Sequence, residues 1–320
     1  MAASLVKGRQ HPRESLALFW QVDGFLADPF KAEFQVWDTS AGQPGTIVLP
    51  VGGGADDRVD VTASATAHWA TGCFAVHAPA APTVPWVPAV TFKRGAVVWY
   101  VTPADGEAEQ VIVREFEVFD TTVLRGPALG YALVQDLRDG GLAVATASDA
   151  ACHAQLIRWR DLVDRLCRQR FRPVYEAKRL RGNDTNTVFL GEPCYGLASY
   201  SLDGSVLEAA NLRVFGATGP QRHNPTFELW NAQPSIYDRV TAWAFLAGVD
   251  NVVTAVWGFL DPDTLAAPLE VRTAVTTGAG LSLDGGYQGG ASGLLQSEST
   301  DGHSVSYATT VKSVRSGTMA

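Results

Sequence analysis

Ser148-Asp-Ala-Ala-Cys-His-Ala-Gln-Leu-Ile-Arg-Trp-Arg-Asp-Leu-Val-Asp-Arg-Leu-Cys-Arg-Gln-Arg-Phe171 decides how this chain is organised, because it changes the sequence period from two to about three and a half. Ser148 offers a helix N-cap and Asp149 a favourable first-turn charge, so the pattern predicts a long helix running to about Phe171. Cys152, Leu156, Trp159, Val163 and Leu166 recur at alternating spacings of four and three, which makes one apolar stripe. Asp161 with Arg165 and Asp164 with Arg168 are acid-first i,i+4 pairs expected on the other side. Ile157 falls among those charges, and is either incidentally exposed or part of a face that packs on another subunit.

Working outward, Ala132 to Asp139 reads as a short helix, stopped by Gly140-Gly141 where a helix C-terminus needs positive φ. A linker, Thr121 to Gly130, carries Gly126-Pro127. Before it the chain reads as all-β. Leu16-Ala-Leu-Phe-Trp-Gln-Val, Lys31-Ala-Glu-Phe-Gln-Val-Trp, Val97-Val-Trp-Tyr-Val and Val111-Ile-Val-Arg-Glu-Phe-Glu-Val-Phe are strand-like and separated by turn signals such as Gln43-Pro44-Gly45 and Pro103-Ala-Asp-Gly106. After the long helix, Pro173 to Leu180 and Thr187 to Leu190 flank a turn-forming cluster at Gly182-Asn-Asp-Thr-Asn. Leu202-Asp203-Gly204-Ser205 is a two-residue hairpin signal. Mixed strands follow, then a helix over Pro268 to Thr277 with Gly278 placed beyond its end.

The fold class expected is α+β: an N-terminal all-β sandwich followed by a small helical module with β-hairpins and mixed strands. Its expected parts are a tail over residues 1–12, a sandwich over 13–122, a second domain over 123–284, and a Gly/Ser-rich mobile segment over 285–320.

At 320 residues with 46% hydrophobic and 18% charged residues, the chain can bury two ordinary cores. Its longest apolar runs are far shorter than the roughly 20 residues of a membrane span, so no membrane partner is expected. The N-terminus has no apolar h-region, and no secretory signal is expected. The net charge of −8 argues against a protein that wraps nucleic acid with a basic surface. Cys73, Cys152, Cys167 and Cys194 show no metal-ligand spacing and are read as small buried hydrophobes. Cys152 and Cys167 would lie about 22 Å apart along one helix and cannot bridge.

Chemistry-bearing motifs are absent. There is no phosphate-cradling G-x-x-x-x-G-K-[ST] string, and Gly52-Gly53-Gly54 is followed by acids. Gly-x-Ser-x-Gly is also missing. Six scattered histidines lack partners at ligand spacing, although His68-Trp69 with His77 could line a groove. Asp56, Asp57 and Asp60 read as a solvated loop rather than a calcium site. No catalytic residue, metal or cofactor is expected.

Two surfaces remain. Trp20, Trp37, Trp69, Trp86 and Trp99 offer a carbohydrate-binding set; most read as core, and Trp86, between Pro85 and Pro88, as the exposed one. Arg158 to Arg181 holds nine Lys and Arg against three acids. It reads as a solvated helix face or as an interface for an acidic protein partner, ahead of DNA, because no aromatic platform is interleaved with it.

Residues 131 to about 310 resemble the head-to-tail connector, or neck adaptor, proteins of tailed bacteriophages. The resemblance is carried by Tyr131-Ala-Leu-Val-Gln-Asp-Leu-Arg-Asp-Gly-Gly, by Ala147-Ser-Asp-Ala opening the long helix, and by the Cys167-Arg-Gln-Arg-Phe-Arg-Pro that ends it. It continues through an extended hairpin from Leu180-Arg-Gly to Leu202-Asp-Gly, Gly248-Val-Asp-Asn-Val-Val, Trp257-Gly-Phe-Leu, Pro268-Leu-Glu-Val-Arg-Thr-Ala and Ser297-Glu-Ser-Thr-Asp-Gly-His-Ser-Val-Ser-Tyr. The N-terminal β-domain departs from the minimal connector and looks most like an immunoglobulin-like sandwich added to it, and Asn211 to Ala242 is longer than the compact pattern. The resemblance implies a structural virion protein, not an enzyme, assembled as a ring of twelve copies between portal and tail. Its partners would be the portal, stopper or tail-completion proteins and DNA passing without sequence-specific contact. It would reside in the virion neck after assembly in the host cytoplasm. Leu156, Trp159, Val163 and Leu166 would then pack within the subunit, while Ile157, Arg158, Arg165 and Arg168 face a neighbour or the portal. The segment from Gly285 would dock on the portal. The rival reading is a carbohydrate-binding or adhesion protein that uses the N-terminal sandwich.

Overall fold

The computed structural model describes residues 2–41, 45–78, 81–88, 93–124, 128–214, 228–231, 245–261, 264–284, 297–300 and 303–306. It is mixed α+β, with most of its regular structure in strands of several sheets and three α-helices among the described residues.

The first 130 residues supply β1 (Ala2–Val6), β2 (Leu18–Phe19), β3 (Gln21–Val22), β4 (Phe25–Leu26), β5 (Lys31–Asp38), β6 (Thr46–Leu49), β7 (Val59–Asp60), β8 (His68–Ala70), β9 (Cys73–Phe74), β10 (His77–Ala78), β11 (Ala81–Pro85), β12 (Arg94–Thr102), β13 (Gln110–Phe119) and β14 (Ala128–Gly130). A large sheet runs β14-β1-β13-β12-β5-β6, and a small one runs β2-β9-β8. Leu18 and Phe74 of the small sheet share one core with Phe34, Val97, Trp99 and Phe116 of the large one.

Three expectations change here. Residues 1–12 are not a tail: β1 lies parallel to β13 and antiparallel to β14, inside the large sheet. Ala3, Leu5 and Val6 are buried on both faces of that sheet, so the segment carries no alternation to read. The first unit also does not end at residue 122, because β14, within the expected linker, completes its sheet. Trp86 is buried at 6% exposure and meets Phe116 edge-on at 5.9 Å. Its N–H goes to the Val76 carbonyl, a ladder-like bond that the flanking prolines do not prevent.

Arg114 shows what a period-two reading hides. Even positions of β13 face the core, so Ile112, Arg114, Phe116 and Val118 point inward together. The buried guanidinium donates to the carbonyls of Ala17 (2.7 Å) and Ser15 (3.4 Å), and burial lowers its pKa to about 10.

The second half contains α1 (Val134–Asp139), α2 (Asp149–Cys167), β15 (Val174–Leu180), β16 (Thr187–Phe189), β17 (Cys194–Leu202), β18 (Ser205–Leu207), β19 (Leu212–Val214), β20 (Glu228–Asn231), β21 (Asn251–Trp257) and α3 (Leu269–Leu283). The helices pack together through Val134, Leu137, Cys152, Leu156, Val275 and Ala279 and cover the end of β13 at Phe119. One sheet runs β15-β21-β17-β4-β3 and faces a second, β16-β20-β19, across Leu197, Tyr200, Leu229 and Trp257. The Asp203-Gly204 turn joins β17 to β18 with both residues at positive φ (49° and 81°), as the hairpin signal required.

The expected hairpin from Leu180 to Leu202 is not formed: β15 pairs with β21, whereas β16 pairs with β20 in the other sheet. The chain crosses between sheets at Gly182, where a Cβ would lie 2.0 Å from the Leu246 carbonyl oxygen. Asn183 and Asp184 there donate their N–H groups to the Phe245 carbonyl. The two halves also interpenetrate. The β3–β4 hairpin, from the first half, extends the second half's sheet beside β17, and Leu265, from the second half, is fully buried in the first half's core.

The last helix does not stop at Gly278 but continues to Leu283. Gly278 is a packing residue, because a Cβ there would meet the Trp159 indole at 2.5 Å. Of the segment 285–320, Ser297–Thr300 and His303–Ser306 pair as an antiparallel hairpin, β22–β23, and the rest lies outside the described residues.

Candidate interaction surface

The arginines singled out above sit on α2, so the surface is built from what fixes that helix. Ser148 caps it by accepting the Ala151 N–H at 3.3 Å, and Arg168 ends it in the left-handed region at φ 53°. It ends before Phe171 because the chain must turn there to seat Phe171 under Tyr131 and to offer the Arg170 carbonyl to the Phe259 N–H. The Trp159 indole N–H donates to Ser282 Oγ on α3 at 2.9 Å. Asp164 accepts the Tyr131 hydroxyl, while that oxygen accepts the Phe171 N–H at 2.9 Å.

These contacts break the expected i,i+4 ion pairs. Asp164 is turned toward buried Tyr131, and burial raises its pKa. Asp161 takes Arg160 instead, and Arg165 is left to donate to the Asp161 backbone carbonyl at 3.2 Å. The predicted stripe holds through Cys152, Leu156, Trp159 and Val163 but fails at Leu166, which is 73% exposed. Cys167, on the same turn, is exposed, unlike the buried Cys73, Cys152 and Cys194.

Part of the basic island is neutralised at home. Arg170 and Lys178 both pair with Glu176 and Glu192 at 2.7 to 3.2 Å, and Lys178 also lies over the Trp257 ring at 4.1 Å. Both carboxyl groups are held below the usual carboxylate range; burial opposes the shift, but hydrogen bonds and charge from these two cations outweigh it. Arg160 donates to the Leu129 carbonyl, pinning β14. Arg158, Arg165 and Arg168 are all exposed on α2 and at its end, and none has a carboxylate partner among the described residues; Arg181, just after β15, is exposed as well, and Arg179 reaches exposed Asp250 at 3.6 Å. Ile157 is half-buried on the flank of this stripe rather than in it.

Other candidates resolve into structural roles. Trp99 is buried, and Trp20, Trp37 and Trp69 are half-buried, so the five tryptophans form no exposed platform. His68 pairs with Asp28 at 2.8 Å and stacks on Phe74, and His77 is buried. Asp57 accepts the Gly54 N–H and Asp60 the Thr62 N–H, so both carboxylates shape their loops. No cluster of metal-ligating side chains occurs among the described residues. Comparison with known protein families and with curated proteins finds no match.

Two features carried no sequence signal. Glu117, at the end of β13, accepts the N–H groups of Val134 (2.8 Å) and Gln135 (2.7 Å) and so caps α1 from another element. Burial pushes its carboxyl up to about 7 in spite of those bonds. Arg272 of α3 reaches Asp136 (2.6 Å) and Glu115 (3.3 Å), and Glu115 in turn takes Arg94, tying helices to the large sheet. Both depend on distant segments meeting, which no local pattern encodes.

Proposed function

We propose that this chain is a structural adaptor of a tailed phage or phage-like particle, forming a ring, of twelve copies, between portal and tail. It performs no catalysis; it contacts the portal and the stopper or tail-completion proteins, and DNA passes through its lumen without sequence-specific contact. It resides in the virion neck and assembles in the host cytoplasm.

The observation that carries this reading is the selective exposure on α2. Arg160, Arg170 and Lys178 of the basic island are paired with carboxylates close by, while Arg158, Arg165 and Arg168 face solvent together on α2 and at its end. Three exposed arginines without a carboxylate partner among the described residues, on a helix held by Trp159 and Tyr131, suit a specific protein contact better than a diffuse solvated face. The order α1, α2, β-rich insert, α3 also agrees with the order of elements on which the resemblance rests. An immunoglobulin-like N-terminal domain is part of the proposal. Taking β2, β5, β6, β8, β9, β12 and β13 as strands B, C, C′, D, E, F and G supports this part of the proposal, since β2-β9-β8 then follows B-E-D and β13-β12-β5-β6 follows G-F-C-C′, with strands A and C″ unassigned. The β3–β4 hairpin between B and C, and β1, β7 and β14 on the large sheet, lie outside that assignment.

Purified full-length protein viewed by electron microscopy tests the reading: closed rings support it, and a protein that stays monomeric at every concentration refutes it.

A further inference from the structure

An acidic patch and an arginine stripe lie at the two ends of the large sheet's long axis. At the end of β13 away from the helices, the loop before β7 and the β12–β13 turn lie side by side, joined by the Arg58–Glu109 pair. Asp56, Asp57, Asp60, Asp105 and Glu107 are exposed there. The nearby cations are already engaged, Lys31 with Glu33 at 2.9 Å and Arg58 with Glu109 and over the Tyr100 ring. At the other end of β13, roughly 30 Å away at about 3.3 Å per residue, the helices present the Arg158, Arg165 and Arg168 stripe.

We propose that the acidic tip of one copy docks on the arginine stripe of the next. The inference rests on the ring reading and names its contact. The two surfaces differ in sign and lie at different ends of one chain, so the contact is heterologous and propagates head to tail; it closes into a ring when the rotation allows. A net charge of −8 makes copies repel at long range, and local pairing of opposite patches sets the one orientation that overcomes this. The same surplus of negative charge disfavours duplex DNA as the occupant of so short a stripe.

The test uses full-length protein, with assembly read by mass photometry. Reversing the stripe (Arg158→Glu, Arg165→Glu, Arg168→Glu) and, in a separate protein, the tip (Asp56→Lys, Asp105→Lys, Glu107→Lys) is expected to weaken self-association by about tenfold or more in each case. An equal mixture of the two variants is expected to restore assembly, because each reversed surface then meets its complement. All six positions are exposed, and unchanged thermal midpoints show that the variants fold. Wild-type rings whose assembly survives both reversals would overturn the contact and leave the ring reading standing. A wild-type protein that never assembles would overturn both. A stripe reversal that spares assembly but abolishes binding to a fluorescent DNA duplex would reassign the stripe to DNA and overturn the contact.

Discussion

Replacing Gly278 with alanine should destabilise the protein, although alanine is the better helix former. In the middle of α3 the exchange gains about 1 kcal/mol of helix propensity. Against this, the new Cβ would lie 2.5 Å from Trp159 Cδ2 and Cε3 and 2.7 Å from Cε2, closer than real side-chain contacts allow. The indole cannot slide away cheaply, since its N–H is held by Ser282 Oγ at 2.9 Å, and Ser282 is itself bonded to the Gly278 carbonyl at 2.9 Å. Overpacking of this kind costs about 1–3 kcal/mol, and losing the indole hydrogen bond adds about 1 kcal/mol, so the net effect is a loss of about 1–3 kcal/mol. Gly280, two residues on, is the control. The nearest atom to its added Cβ is Leu137 Cδ2 at 3.7 Å, an ordinary contact, so Gly280→Ala should stabilise by up to about 1 kcal/mol. Urea unfolding gives both values. Trp159→Leu, which vacates the ring volume, should make Gly278→Ala nearly neutral in a double-mutant cycle. Equal stabilisation by the two alanines would refute the packing of α3 on α2 described here.

Stability should vary with pH through groups of opposite sign. Burial lowers the pKa of His11 and His153, so the unfolded chain binds more protons below about pH 6.5 and acidification costs stability there. Glu117, raised to about 7 in the fold, works the other way: its contribution is present below its unfolded value and is lost as pH rises through 7. Against wild type, His11→Gln should therefore gain relative stability as pH falls from 7 to 5, and Glu117→Gln should lose about 2 kcal/mol over the same range; denaturant titrations at the two pH values give both differences. Residues 131–284 expressed alone should lack a cooperative unfolding transition, because they lose the β3–β4 strands beside β17 and leave Leu265 without the core that buries it. Sharp near-ultraviolet circular dichroism from that fragment would contradict the interlocking of the halves.

What the sequence made legible follows the range of the interactions. The Ser148 cap, the Gly140-Gly141 stop with Gly141 at φ 96°, and the Asp203-Gly204 turn are local and appear where the residues place them. The start of α3 at Pro268 was equally readable, but its end was not, since Gly278 answers to an indole more than a hundred residues earlier in the chain. The buried strand β1 has no alternation, and Trp86 sits between prolines yet still bonds Val76. On the candidate surface, the exposure of Arg158, Arg165 and Arg168 follows from helical periodicity. The neutralisation of their neighbours does not, because Glu176 and Glu192 reach Arg170 and Lys178 only through the fold of β15 and β17. Leu166 belongs to the stripe by spacing yet is 73% exposed, one turn beyond the Trp159 and Val163 that pack in the helical core.

The central claim is that copies of this chain close on themselves. Native mass measurement of the purified full-length protein tests it most directly. A single species near twelve times the 34.2 kDa chain, dissociating as salt is raised, is the predicted result. A 34.2 kDa monomer at every concentration and salt would contradict it.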